Sequence, residues 1–282
     1  MSKKCIVTDS SAQFPKPIFA GKNDVYVIDL QCHLFDQVYS SNFDYDLKIL
    51  PKYANDHLRP TLHSPTVDYF KNYFSNLCTK YDDIICIFIS SYLNKCYENA
   101  LEASKSIRGS KKIHIFDSKT TSIGLGCLVQ KVSELIYDRN NLEIIKQKIR
   151  YIIPHIYAIF CISGSSYLFY NNYIDYAQSF VCELLNLYPV FTIEDGKLNP
   201  MEKVHSTRQM IELFQEFIEE FEYLTYISLV KSPNYNCSSS KLIREYTQNN
   251  FPTTNFTEHI LNFPLTTIFG PYSYGLFVVE DY

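Results

Sequence analysis

The chain has 282 residues and a formal net charge of −4, enough length for two domains or one large one burying roughly three quarters of its unfolded surface. The acidic balance, with a pI near 6.0, argues against a nucleic-acid partner, which calls for a basic face. The scattered lysines and arginines likewise form no polybasic block for a membrane surface. Nine cysteines without a CxxC pair make neither a disulfide framework nor a zinc site. Cys86, Cys127 and Cys161 lie in apolar runs and read as buried thiols of a reducing compartment. The start, MSKKCIVTDSS, has too short an apolar stretch for a secretory signal. No run reaches the roughly 20 apolar residues of a membrane span, the longest candidate being broken by Pro154 and His155. The expectation is a soluble cytoplasmic protein.

In chain order, Lys4 to Thr8 reads as a short strand closed by Asp9-Ser10-Ser11, and Val25 to Leu30 as a second. Tyr39 to Asp44 reads as a loop leading into a helix around Tyr45 to Ala54, with Pro51 near its start or marking a break. The segment Arg59 to Thr66, RPTLHSPT, has two prolines and reads as irregular. Asp68 to Thr79 carries Phe70, Tyr73, Phe74 and Leu77 on one helical stripe. Asp83 to Ile89 is nearly all apolar, as a strand covered on both faces must be. It ends in Ser90-Ser91 and precedes a helix from Asn94 to Lys105.

The stretch Lys112 to Val129, KIHIFDSKTTSIGLGCLV, is the most informative. It reads as a short buried strand that stops at Asp117-Ser118, then a helix with Ile123, Cys127, Val132 and Ile136 on one face. Asp117, Ser118, Thr120 and Thr121 crowd the junction, where a helix start needs side-chain oxygens for its unpaired N–H groups. Gly124 and Gly126 lower helix propensity and suit the close approach of another backbone or of a ligand. Two readings stay open: a capped strand–helix junction with small residues for packing, and one wall of a ligand crevice at the strand carboxyl ends. A helix from Leu142 to Ile153 follows. Alternating strands and helices to this point predict a parallel sheet with helices on both faces.

Pro154 marks a boundary between a parallel α/β domain, residues 1–155, and a smaller α/β domain, residues 156–282. The second reads as strands at Ala158 to Ile162, Pro189 to Ile193 and Leu224 to Val230. Its helices are Ala177 to Leu187, Ser206 to Phe221 (with Ser206 as N-cap) and Lys241 to Asn249. A Glu194-Asp195-Gly196 turn, then Leu265 to Phe269, a Gly270-Pro271 turn and Gly275 to Val279 complete it.

Three strand ends of the first domain finish in hydroxyl-rich turns, which a parallel sheet gathers along one edge as an anion site. Each turn taken alone is an ordinary helix cap. No Gly-rich phosphate loop is present, Ser165 in SGSSY lacks the GxSxG elbow, and the seven histidines have no i, i+4 pair. No catalytic residue, cofactor or metal is therefore expected. His63 and His205 are the histidines placed like functional residues.

The ordered motifs resemble those of the DegV family of bacterial fatty-acid-binding proteins. IVTDSSAQFP at Ile6 to Pro15 is similar to that family's opening strand and Asp-Ser turn. IFDSKTTSIGLGCLV at Ile115 to Val129 is similar to its Asp-Ser-Lys strand and glycine-containing helix. YPVFTIEDGKLNPMEKVHS at Tyr188 to Ser206 resembles its Asp-Gly segment ending in KVRT, and IFGPYSYG at Ile268 to Gly275 its closing Gly-Pro-Gly turn. The resemblance implies the α/β EDD fold, in which two domains bury a long acyl chain and polar groups hold its carboxylate. It also implies a binding protein rather than a catalyst, with a fatty-acid kinase of the dihydroxyacetone-kinase type as partner, feeding phospholipid synthesis, and brief contact with a membrane.

Burial favours such a ligand, since about fifteen methylenes at about 0.8 kcal/mol each contribute on the order of 12 kcal/mol before ordering costs. Carried onto this chain, the carboxylate-binding threonine position is Leu62 and the serine position Asn94. The histidine before Gly-Pro is Ile268, the arginine of KVRT is His205, and the expected Gly-Gly-Arg segment is absent around Gly164 to Asn172. Asn94, Ser91, Ser90 and Ser10 are then the candidate polar ligands, with His63 or Thr61 in place of the lost threonine and Leu62 and Ile268 as its departures. The alternatives are a different apolar ligand without a free carboxylate, and an enzyme or phosphotransfer partner.

Overall fold

The computed structural model describes residues 2–35, 37–40, 50–107, 112–232 and 237–281, with residues 237–239 as backbone only. The chain opens with β1 (Lys4–Asp9), β2 (Val25–Ile28), β3 (Gln31–Leu34), β4 (Gln37–Ser40) and β5 (Thr61–His63). It continues through α1 (Val67–Cys78), β6 (Asp83–Phe88), α2 (Cys96–Lys105), β7 (Ile113–Asp117), α3 (Ser122–Tyr137) and α4 (Leu142–Ile152). β2, β1, β6 and β7 pair in that order, all parallel. The central pair, β1 and β6, is buried along almost its whole length, with Cys5–Val7 and Ile84–Phe88 as its apolar runs, as a strand with helices on both faces must be.

Two of the sequence-based elements differ here. The expected helix around residues 45–54 falls partly on residues 41–49, outside the described ones, and residues 50–54 form bends and irregular backbone rather than helix. The proline-rich segment is not irregular throughout. Its Thr61–His63 is a strand pairing antiparallel with β3 in a small sheet ordered β4-β3-β5. Each flanking proline lies outside the paired stretch, so no ladder N–H is lost.

The rest of the chain contributes β8 (Ile156–Cys161), α5 (Ser165–Tyr170), α6 (Tyr176–Leu184), β9 (Tyr188–Glu194), β10 (Lys197–Val204) and α7 (Thr207–Glu219). It ends with β11 (Leu224–Lys231), α8 (Cys237–Asn250), β12 (Asn255–Ile260), α9 (Phe263–Phe269) and β13 (Tyr274–Glu280). These strands form a six-stranded sheet, β10-β9-β8-β13-β11-β12, antiparallel except between β11 and β12. Successive side chains of a strand point to opposite faces, and this sheet uses both. Ala158, Phe160, Phe191, Ile193, Phe277 and Val279 join one continuous core with the parallel sheet. Ile159, Cys161, Val190, Leu276 and Val278 pack instead with Met210, Phe214 and Ile218 of α7.

Helix α3 is the layer between the two sheets, touching β1 and β6 on one side and β8 and β13 on the other. Its first turns are buried nearly all round, Ile123, Leu125, Leu128, Val129 and Val132 among them, as expected of a helix packed on two sides, while Lys131, Glu134 and Tyr137 of its last turns reach solvent. Gly126 shows why a side chain is unwelcome there: an added Cβ would sit 1.9 Å from the Gln13 carbonyl oxygen. The close approach foreseen from the sequence is thus made by backbone.

Candidate functional site

Because β1, β6 and β7 run parallel, their carboxyl ends lie side by side, and the three polar turns meet. The Asp9 carboxylate accepts from Ser11 N–H at 3.0 Å and Ser11 Oγ at 2.5 Å, and its other oxygen accepts from Ile89 N–H at 2.7 Å. It cross-links two strand ends. Burial pushes its pKa up, and the Ser11 and Ile89 hydrogen bonds oppose that rise. Asp117 does the same for β6 and β7. It accepts from Ser91 Oγ at 2.6 Å, Ser91 N–H at 3.3 Å and Lys119 N–H at 3.0 Å, and pairs with Lys119 Nζ at 3.2 Å.

The side-chain cap expected at the start of α3 is therefore not made. Thr121 occupies the cap position without a side-chain hydrogen bond, and the buried hydroxyls of Thr120 and Thr121 have no partner among the described residues. The carboxylate that could have capped is spent across the strands. The turn also holds Lys119 at φ 57° and Ser122 at φ 49°, left-handed values unusual for residues with a Cβ.

Onto this edge comes the β9–β10 hairpin. Its tip has Asp195 at φ 50° and Gly196 at φ 86°, the paired positive values of a tight hairpin turn. Ser90, fully buried, donates its hydroxyl to the Gly196 carbonyl at 2.6 Å. A Cβ on Gly196 would meet Ser90 Oγ at 2.4 Å, so the turn and its docking both demand glycine. A second tie comes from Asn262, the N-cap of α9, whose amide donates to the Ser10 and Ser11 carbonyls at 3.2 and 2.9 Å.

Beside the hairpin lies a cleft of about 690 Å³, within the range of small-molecule sites. One wall is β5 and the approach to α2, presenting Leu62, His63, Ser91 and Asn94. The other is the Asn171–Tyr173 segment with Lys197 and Leu198. Asn94 accepts from Cys96 N–H at 3.0 Å and donates one amide hydrogen to the Leu62 carbonyl at 3.2 Å, which leaves its second amide hydrogen for a ligand. His63 stacks on His33 with centroids 4.0 Å apart and shares a 3.0 Å hydrogen bond with the Thr61 hydroxyl. Burial, and then the facing His33, push the His63 pKa down.

The cleft thus brings together Leu62, His63, Ser91 and Asn94, with Thr61 bonded to His63. Ser90 lies beneath, spent on Gly196. Ser10 and Ile268 do not line it. Ser10 Oγ accepts from Leu30 N–H at 2.9 Å, and Ile268, on α9, is 1% exposed in the shared core. His205 is an exposed residue whose N–H donates to Gln209. Sequence reasoning missed Tyr92, Tyr173 and Lys197. The Asp-Gly signal located the turn but carried no sign of what the turn lands on.

A sequence profile of the family described as "Uncharacterised protein, DegV family" matches residues 3–281. A DegV domain-containing protein of Caldanaerobacter subterraneus subsp. tengcongensis is 25% identical over 219 residues, 78% of either chain. A DegV family protein from Thermus thermophilus, described for its fatty acid binding, superposes with a TM-score of 0.83 at 20% identity, over 99% of this chain and 100% of that one. The fatty acid kinase (Fak) B3 protein of Streptococcus pneumoniae, loaded with linoleic acid, gives a TM-score of 0.83 at 17% identity over 99% and 100% of the two chains.

Proposed function

This chain belongs to the DegV family, and on that premise we propose that it binds a long-chain fatty acid and presents it to a partner kinase for phospholipid synthesis. The tail lies between a domain of residues 1–155 and one of 156–282, and the carboxylate sits in the cleft. The supporting observation is the cleft itself. It opens where the two sheet-bearing halves meet, and it gathers four of the residues expected at the head group, Leu62, His63, Ser91 and Asn94. The second amide hydrogen of Asn94 and the His63–Thr61 pair are the donors left to serve a carboxylate. Of the solved structures of the same fold, that from Thermus thermophilus is described for fatty acid binding and that from Streptococcus pneumoniae as loaded with linoleic acid.

The protein's part is to bind, not to transform. Among the described residues no helix is long and apolar enough to cross a membrane, in keeping with a cytoplasmic carrier that meets membranes only briefly. Native mass spectrometry of freshly purified protein, with release and identification of what it carries, tests the reading. A long-chain fatty acid is the expected cargo. Protein that is empty and also fails to take up palmitate or oleate overturns the proposal.

One observation favours a second reading, an apolar ligand without a free carboxylate. Leu62 cannot donate, and the Ser91 hydroxyl is committed to the Asp117 carboxylate at 2.6 Å, so a ligand carboxylate there would meet an aliphatic neighbour and a hydroxyl already in use. A Leu62→Thr variant that takes up oleate a hundredfold better than wild type would favour this alternative.

A further inference from the structure

We infer that the cleft reads an acidic head group through the ammonium of Lys197, seated on the face of Tyr92 and assisted by Lys95, and not through the hydroxyls of the strand ends. The inference rests on the fatty-acid reading above and names the residue that distinguishes an acid from a neutral acyl compound. The strand-end hydroxyls beside the cleft are already committed: Ser90 to the Gly196 carbonyl, Ser91 to Asp117. Tyr173 donates its hydroxyl to the Leu93 carbonyl at 2.8 Å.

Beyond the Asn94 amide and the His63–Thr61 pair, the cleft offers charge. Lys95 and Lys197 both line the cleft, and neither has a salt bridge among the described residues. Lys197 Nζ stands 4.6 Å from the centroid of the Tyr92 ring, and Lys119 Nζ stands 5.3 Å from the same centroid. Lys119 answers Asp117, so that acid is already balanced. The turn itself carries two acids, Glu194 and Asp195; Glu194 accepts from the Thr192 hydroxyl at 2.8 Å and the Asn199 amide at 3.3 Å, and neither acid forms an ion pair with Lys197 among the described residues. Two ammonium groups without an ion-pair partner among the described residues therefore line the cleft, whose other lining side chains carry no carboxylate. An ammonium on an aromatic face is positioned without being neutralised, and such a group attracts an anion across a short gap.

The backbone of Lys197 is also placed with little freedom. It follows Gly196, whose carbonyl is pinned on Ser90 and whose φ of 86° admits few residues. The docking of the hairpin tip is thus what carries the charge to the cleft, and the carboxylate-recognition role lost at Leu62 moves to a residue of the other half of the chain.

The test compares oleate with methyl oleate, which keeps the tail and removes the charge, on the full chain at low and at high salt. Wild type should bind oleate more tightly than the ester, and only oleate binding should weaken as salt rises. Lys197→Gln should weaken oleate about fivefold, the scale of an exposed ion pair, and leave the ester unchanged, with Lys197→Arg restoring oleate. Lys95→Gln should act in the same direction and less. Loss of both ligands equally in Lys197→Gln, or of neither, overturns the inference. Wild type that holds the ester as tightly as the acid overturns it while leaving acyl-chain binding intact, whereas wild type that holds neither overturns the fatty-acid reading itself.

Discussion

Two neighbouring regions, the carboxyl edge of the parallel sheet and the cleft beside it, divide the polar residues of this protein between them. At the edge, Asp9, Ser11, Ser90, Ser91 and Asp117 hydrogen-bond one another, the strand ends and the hairpin tip. In the cleft, Asn94 keeps a free amide hydrogen, His63 faces solvent, and Lys197 rests on an aromatic ring. The motif-bearing residues hold the strands and the hairpin together, and the less conspicuous ones face the space a ligand would occupy. A buried polar group has to find a partner, so a dense cluster of Asp and Ser at a sheet edge is consumed by its own satisfaction.

If that division is real, removing an edge residue should cost stability most. Asp9→Ala leaves the Ile89 N–H and the Ser11 hydroxyl buried without their acceptor, and should lower the unfolding free energy by about 3 kcal/mol. Urea denaturation reads this directly, and a loss below about 1 kcal/mol would mean that the edge is not a closed network. Gly196→Ala comes next. Its Cβ would meet Ser90 Oγ at 2.4 Å on a residue with φ 86°, and about 2 kcal/mol should be lost. Oleate binding should fall with it, because Lys197 moves with the turn. A Gly196→Ala protein of wild-type stability would detach the hairpin from the edge.

How much of this was legible beforehand follows from the range over which each signal acts. β1, β6 and the buried helix α3 were readable because continuous apolar runs and a 3.6-residue repeat are local. Ser206 was readable as an N-cap because a cap is defined within one turn, and its hydroxyl does accept from Gln209 N–H at 3.3 Å. β5 was hidden because three residues between prolines carry no period, and its partner β3 lies in a distant stretch of chain. The strand-end hydroxyls were legible as residue types and illegible as roles. A cap and a cross-strand tie use the same side chains, and here Asp117 went to Ser91 and Lys119, not to the first turn of α3. Lys197 on Tyr92 was beyond reach for the same reason: one comes from the hairpin turn and the other from the end of β6.

A smaller effect is expected within the cleft. Leu62 packs with Cys32, Leu34 and Phe263 beneath the small sheet, so Leu62→Thr should cost about 1 kcal/mol of stability. If Asn94, His63 and Lys197 already serve the carboxylate, the restored hydroxyl should improve oleate binding no more than about threefold, a fraction of what a new charged hydrogen bond could contribute. Isothermal titration decides. The hundredfold gain named above would mean that the wild-type cleft has given up carboxylates.

The least change, and the most direct contrast between the regions, should come from pH. His63, only partly shielded from solvent, has its pKa below the ordinary 6.5, through that partial burial and the neighbouring His33. The folded state therefore resists taking up a proton that the unfolded chain accepts. Stability from this group is unaffected above pH 6.5, and falls as the pH drops from there through the folded pKa. His63→Gln should remove that part of the decline, seen as a smaller drop in Tm between pH 7.5 and 5.5 than wild type shows. With oleate bound the sign reverses, because a carboxylate in the cleft favours the imidazolium and the complex gains a proton as it forms. Oleate affinity should thus rise as the pH falls from 8 to 6 in wild type, and rise less in His63→Gln. Asp9, with its pKa displaced upward in the closed network, should contribute nothing to that ligand-linked uptake. An oleate affinity equally pH-dependent with and without His63 would place the carboxylate away from β5.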